Sequence, residues 1–273
     1  MYPYELFWGI SLYDIFLGLG VVAAIAVFTF FSNRKKLDYR LHNFILADAV
    51  ATVILGYGFA ILFQAVWNSL DTGVFRLSRD TGATFLGGLI GGAAVFLAVY
   101  YGIGAAVFKD RLNCRMMPEL LDVFAVCIPA AHSLGRIGCL CAGCCYGKPT
   151  DAWYGIYMVD LGQKVVPTQL FEAVFLALLA ALLFVRCLKG RRFNLPLYMA
   201  AYGIWRFPAE LMRGDYRGHS FISFLTPSQL ISVLLIAGSI VLFLVLKKVY
   251  PKAAPRESAS PTPGDGSSKE NDR

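Results

Sequence analysis

"TFLGGLIGGAAVFLAVYYGIGAAVF", residues 84–108, contains no Asp, Glu, Lys, Arg or His. A helix crosses the hydrocarbon core of a bilayer in about 20 mostly apolar residues, so this run is long enough to span one. Six more stretches qualify, at about 9–31, 43–67, 120–141, 167–187, 195–212 and 226–247. The fourth and sixth stretches in chain order are the least apolar. Across the chain 57% of residues are hydrophobic and 16% are charged, against about 45–50% and 25% for soluble domains. The pattern predicts an all-α, polytopic membrane protein of seven transmembrane helices. The start, "MYPYELFWGISLYDIFLG" (1–18), has no basic n-region and no small-residue cleavage site, so it reads as the first span and not as a removable signal.

The formal charge of +7 sits in alternate connections. Arg34, Lys35, Lys36 and Arg40 follow the first span, Lys109, Arg111 and Arg115 the third, and Arg186, Lys189, Arg191 and Arg192 the fifth; Lys247, Lys248 and Lys252 follow the last. The other connections dilute Arg76, Arg79, Lys148, Lys164, Arg213 and Arg217 with Asp71, Asp80, Asp151, Asp160 and Asp215. The positive-inside rule then places the N-terminus outside and the C-terminus in the cytoplasm. The charge therefore marks topology, and no nucleic-acid partner is expected. Residues 1–248 read as one transmembrane domain with an outer head made by 68–83 and 146–166. Residues 249–273, rich in Pro, Ser, Gly and charge, read as a disordered cytoplasmic tail. No internal repeat or matched pair of broken helices supports a transporter.

Ionisable residues inside spans are costly and mark functional sites by default. His132, Arg136 and Cys139 share one face of the fourth span at i, i+4 and i+7; Tyr202, Arg206, Glu210 and Arg213 form a stripe on the sixth. Arg206 and Glu210 also fit a plain ion pair within one helix. Two arginines on separate helices at the same depth call for an anion, and the planar fork of Arg suits a phosphate. Asp14, Asp48, Asp122 and Glu172 fit structural partners of backbone or Arg. His42 and His219 fall in connections and read as solvated. The glycines of 85–94 suit either close helix packing or a lipid groove. Four of seven cysteines, Cys139, Cys141, Cys144 and Cys145, lie within seven residues as C-x-C-x-x-C-C. Packing residues, a disulfide or reactive thiol, and a metal site all remain open for them.

"GRIGCLCAGCCYGKPT" (135–150) resembles the signature of the prolipoprotein diacylglyceryl transferase family, Gly-Arg-x-Gly-Asn-Phe-x-Asn-x-Glu-x-x-Gly. Gly135, Arg136, Gly138, Gly143 and Gly147 match in register. "LGGLIGG" (86–92), "VPTQLFEA" (166–173), "YGIWRFPAELMR" (202–213), "TPSQLIS" (226–232) and "SLYD" (11–14) resemble further segments of the family, in order. Cys139 and Cys144 stand where the family has Asn and Glu, Ala142 replaces its second Asn, and Leu86 replaces its His. "GYGFA" (56–60) lacks its early Arg.

The resemblance implies transfer of diacylglyceryl from phosphatidylglycerol to the lipobox cysteine of a prolipoprotein, in a bacterial plasma membrane, by a monomer. It implies lipid binding by Arg136 with Gly135, Gly138, Gly143, Cys139 and Cys144. Arg206 would meet charge on the leaving phosphate, Glu210 would position Arg206, and His132 or Tyr13 would take the thiol proton. Cys141 and Cys145 are expected to be packing residues, and no metal or cofactor is expected. The rival is a thiol-redox or metal-binding membrane protein built on Cys139–Cys145.

Overall fold

The computed structural model describes residues 5–7, 9–78, 81–82, 84–214 and 225–250. A short hairpin, β1 (Glu5–Phe7) with β2 (Ile10–Ser11), leads into α1 (Leu12–Arg34). Then come α2 (Tyr39–Thr72), α3 (Phe85–Ala98), one wide turn of π-helix (Val99–Ile103) and α4 (Gly104–Val107), followed by α5 (Leu112–Ala142). A hairpin of β3 (Ile156–Met158) and β4 (Gln163–Val165) precedes α6 (Thr168–Leu188), α7 (Asn194–Ala209), a 3-10 turn (Glu210–Met212) and α8 (Pro227–Val249). The chain is thus an all-α, multi-pass membrane protein, and among the described residues six helical runs are long and apolar enough to cross a bilayer, one of them the continuous run Gly87–Val107 through α3, the π turn and α4. The stretch expected at 195–212 is the exception. Its α-helix stops at Ala209, just past Pro208, and continues only as a tight turn.

Large apolar side chains stand exposed along α2, among them Val50, Val53, Ile54, Tyr57 and Leu62. Such a face suits hydrocarbon and not water. The inward faces pack Phe31, Leu41, Tyr100, Val123, Val126, Leu176 and Leu183 into one core. Helices approach closely where glycine allows it. A Cβ on Gly20 would lie 2.9 Å from the Ala131 carbonyl, joining α1 to α5. On Gly56 it would lie 3.1 Å from the Gly92 Cα, joining α2 to α3. The glycines of 85–94 thus serve close packing, the first of their two readings.

Asp122 ties α5, α7 and α8 together at the end bearing the basic loops. It accepts from Asn194 N (2.7 Å) and from the Tyr250 hydroxyl (2.9 Å), while Arg186 Nε donates to Asn194 Oδ1 (3.0 Å). Asp122 is therefore the structural partner its position suggested. His42 lies in the first turn of α2 and not in a connection, and it is half-buried: its ring stacks on Phe28 (5.2 Å) and its Nδ1 lies 2.8 Å from Ser32 Oγ. The part of the expected head at 68–72 is still α2, which runs to Thr72. His219 and the expected tail from residue 251 lie outside the described residues.

Candidate active site

Four helix ends converge away from the Asp122 clasp: the last turns of α5 and α7 and the first turns of α6 and α8. α5 carries Arg136 and α6 carries Glu172, and their Nε and Oε2 atoms lie 3.1 Å apart. Glu172 is buried and Arg136 is partly so, with side chains 2% and 12% exposed. Tyr202 of α7 donates to the other oxygen, Oε1, at 2.7 Å, and the His132 ring packs edge-on against Tyr202 at 5.4 Å. A carboxylate this deep needs both contacts, since removing one partner of a buried pair costs about 3–5 kcal/mol. The Arg136–Glu172 contact is an ion pair without a hydrogen bond at Nε, and the two Nη groups have no hydrogen-bond partner among the described residues.

The second arginine sits one helix away. Arg206 Nη2 lies 2.7 Å from Glu210 Oε2 and donates to Ser228 Oγ at 3.1 Å in the first turn of α8. Glu210 also accepts from Thr226 Oγ1 (3.3 Å) and lies 4.0 Å from Arg213 Nε. Thr226 in turn closes a capping box with Gln229 that starts α8. The i, i+4 spacing that suggested an ion pair within α7 is realised, and the same pair is linked across to α8.

Sequence reading paired two bare arginines with an unseen anion, whereas each arginine has its own carboxylate. Glu172, which fits a partner of backbone or Arg by its sequence position, is the counter-ion of Arg136. Its place in "VPTQLFEA" was the one available signal.

Past α5 the chain turns back at Gly143, which adopts φ +71°, and Cys145 follows in the left-handed region at φ +62°. The turn brings the sulfurs of Cys139, Cys144 and Cys145 within 4.8 Å of one another, and Cys141 is not among them. The Cys144 thiol donates to the Cys139 carbonyl (3.6 Å), and the neighbouring Cys139 and Cys145 thiols hold it above its ordinary range. Two buried side chains of α6 hold the loop from below: Thr168 Oγ1 donates to the Cys145 carbonyl (2.9 Å) and Gln169 Nε2 to that of Cys144. Cys145, read as a packing residue, thus stands in the thiol group. Further on, Gly147 donates to the Val166 carbonyl (2.9 Å) and Lys148 to that of Met212 (2.9 Å). A Cβ on Gly147 would lie 2.7 Å from either carbonyl, so the residue there must be glycine or the loops part.

The remaining site glycines divide by cause. Gly138 lets α1 approach, since its Cβ would lie 3.2 Å from Phe16 and 3.3 Å from Tyr13. Gly143 supplies the positive φ of the turn. Gly135 faces open space beside Arg136, with nothing within 4 Å of a Cβ. Tyr13, at the start of α1, lies within electrostatic reach of the three clustered cysteines.

Residues 4–245 match the model of the family described as prolipoprotein diacylglyceryl transferase. The chain is 29% identical over 245 residues to the phosphatidylglycerol–prolipoprotein diacylglyceryl transferase 2 of Clostridium perfringens, covering 86% of this chain and 90% of that protein. It is 30% identical over 253 residues to the phosphatidylglycerol–prolipoprotein diacylglyceryl transferase of Clostridium tetani, covering 88% and 95%. To the transferase of the same name from Dehalococcoides mccartyi (strain ATCC BAA-2266) it is 26% identical over 251 residues, covering 88% and 91%.

Proposed function

The chain belongs to the prolipoprotein diacylglyceryl transferase family, and on that premise we propose that it moves diacylglyceryl from phosphatidylglycerol to the lipobox cysteine thiol of a prolipoprotein. The observation that carries this reading is Arg136, ion-paired with Glu172 at 3.1 Å from Nε and with both Nη groups left to bind an anion. A fork in that state donates to two phosphate oxygens of a lipid headgroup while the ion pair keeps it in place. A carbon–sulfur bond forms at the glyceryl carbon as its bond to the phosphate oxygen breaks, and glycerol phosphate leaves. The thiol proton passes to His132 or Tyr13. Arg206, oriented by Glu210, stabilises the charge that develops on the departing phosphate. Gly135 leaves the space beside Arg136 open for the lipid.

The test uses purified full-length chain in vesicles with a lipobox peptide. In phosphatidylglycerol the peptide should gain one thioether-linked diacylglyceryl group by mass, and in phosphatidylcholine it should not. A peptide left unmodified in phosphatidylglycerol sinks the assignment.

The same reading sets seven spans, with the N-terminus outside, in a bacterial plasma membrane. α7 supports it, because its first residue contacts the Asp122 clasp while Met212, just past its last turn, contacts the loop of Lys148. The helix therefore runs the depth of the bundle despite its 16 residues. An alkaline phosphatase fused after Asp160 should be active and one fused after Gly190 silent. The reverse pattern would put Arg136 in the wrong leaflet.

A further inference from the structure

We propose that Cys139, Cys144 and Cys145 form a three-thiolate site for a thiophilic divalent cation of the zinc type, whose fourth coordination position takes the acceptor cysteine thiol. The last clause rests on the transferase reading; the ion site itself does not. Three sulfurs at ~2.3 Å from a zinc ion lie about 3.8 Å apart in tetrahedral geometry. The observed group, within 4.8 Å, needs to draw in by no more than about 1 Å, which rotation about side-chain bonds supplies.

The backbone around the sulfurs is built to hold them. Cys144 N donates to the Cys139 carbonyl at 3.2 Å, fixing the turn that joins the end of α5 to the other two thiols. The carbonyls of Cys144 and Cys145 are taken by Gln169 and Thr168, which are 0% and 5% exposed. Cys145 occupies a left-handed conformation that glycine or asparagine adopts more readily. Ligation of a shared ion gives a reason for a thiol at that strained position. Cys141, two residues from Cys139, stays outside the group, so cysteine content alone does not define the site.

Three thiolates and one dication leave a net charge of −1, next to Arg136, which lies within electrostatic reach of Cys139 and Cys145. Each ligating thiol gives up its proton to solvent. Three protein ligands with a fourth position open is the pattern of a catalytic metal, and a thiol bound there is deprotonated. Transfer to a cysteine requires that thiolate, and the site lies one helical turn from Arg136.

The test titrates Cd²⁺ into metal-free, reduced full-length chain and reads the ultraviolet thiolate-to-metal charge-transfer band. We expect saturation at one Cd²⁺ per chain and reversal by Zn²⁺. Cys139→Ser, Cys144→Ser and Cys145→Ser should each weaken binding at least ~10-fold, whereas Cys141→Ser should not. A lipobox peptide should raise the band by about a third as a fourth thiolate joins, and its Cys→Ser form should leave it unchanged. Absence of saturation at one ion overturns the site, as does equal damage from Cys141→Ser. Unchanged lipid transfer after chelation overturns the acceptor role and leaves the transferase reading standing. Peptide-dependent Cd²⁺ binding without transfer in phosphatidylglycerol vesicles removes the transferase reading and leaves the ion site.

Discussion

Arg136→Ala should lower lipid transfer about 1,000-fold, equivalent to ~4 kcal/mol. Two losses combine in that figure. The phosphate loses a bidentate, charge-assisted contact, and Glu172, 2% exposed, loses its cation and keeps only the Tyr202 hydrogen bond. The second loss also threatens folding, because a buried carboxylate without its partner costs about 3–5 kcal/mol. Arg136→Ala combined with Glu172→Gln separates the two. The double variant should recover thermal stability, since the amide still accepts from Tyr202, yet transfer should stay down by a similar factor. Arg136→Lys keeps the charge without the fork and should lose at least ~10-fold. Transfer at the wild-type rate in Arg136→Ala, or its recovery in the double variant, would show that Arg136 serves only to neutralise Glu172.

That experiment turns on Glu172, whose sequence position fits a partner of backbone or Arg without saying which arginine. Local spacing carried a good deal. The apolar run at 84–108 and its counterparts marked the helices, and the i, i+4 offset of Arg206 and Glu210 showed a pair that the structure places at 2.7 Å. Glu172 was harder, because its partner lies on another helix 36 residues earlier, and no periodicity within α6 points to it. The half-burial of His42 was not legible because its partners, Phe28 and Ser32, belong to the helix before it. For the cysteines, C-x-C-x-x-C-C treats four thiols alike. What separates Cys141 from the rest is two left-handed residues, Gly143 and Cys145, that reverse the chain after α5. A glycine after an apolar run hints at the first turn; nothing about a cysteine announces the second. The stretch at 195–212 reaches too far for a similar reason: the apolar pattern runs to 212, but the α-helix ends at Ala209, one residue past Pro208.

Arg206→Ala should have the larger effect on turnover, about 10,000-fold in kcat or ~5.4 kcal/mol, with KM for phosphatidylglycerol changed little. A group that meets charge on a leaving phosphate acts mainly in the transition state, whereas Arg136 holds the headgroup throughout. The two variants should therefore split, with KM rising in Arg136→Ala and kcat falling in Arg206→Ala. Glu210 touches no substrate in this scheme. It positions Arg206 at 2.7 Å while Thr226 and Arg213 steady its carboxylate. Glu210→Gln keeps the shape and weakens the ionic hold, so kcat should fall about 10- to 100-fold, still without a rise in KM. Glu210→Asp, which keeps the charge on a shorter arm, should retain more activity than the amide. A purely structural Glu210 would instead lower the thermal midpoint and the amount of folded protein at unchanged kcat per folded molecule. If Arg206→Ala raised KM at constant kcat, the two arginines would exchange roles: Arg206 would hold the lipid, and the leaving phosphate would have to be met by Arg136.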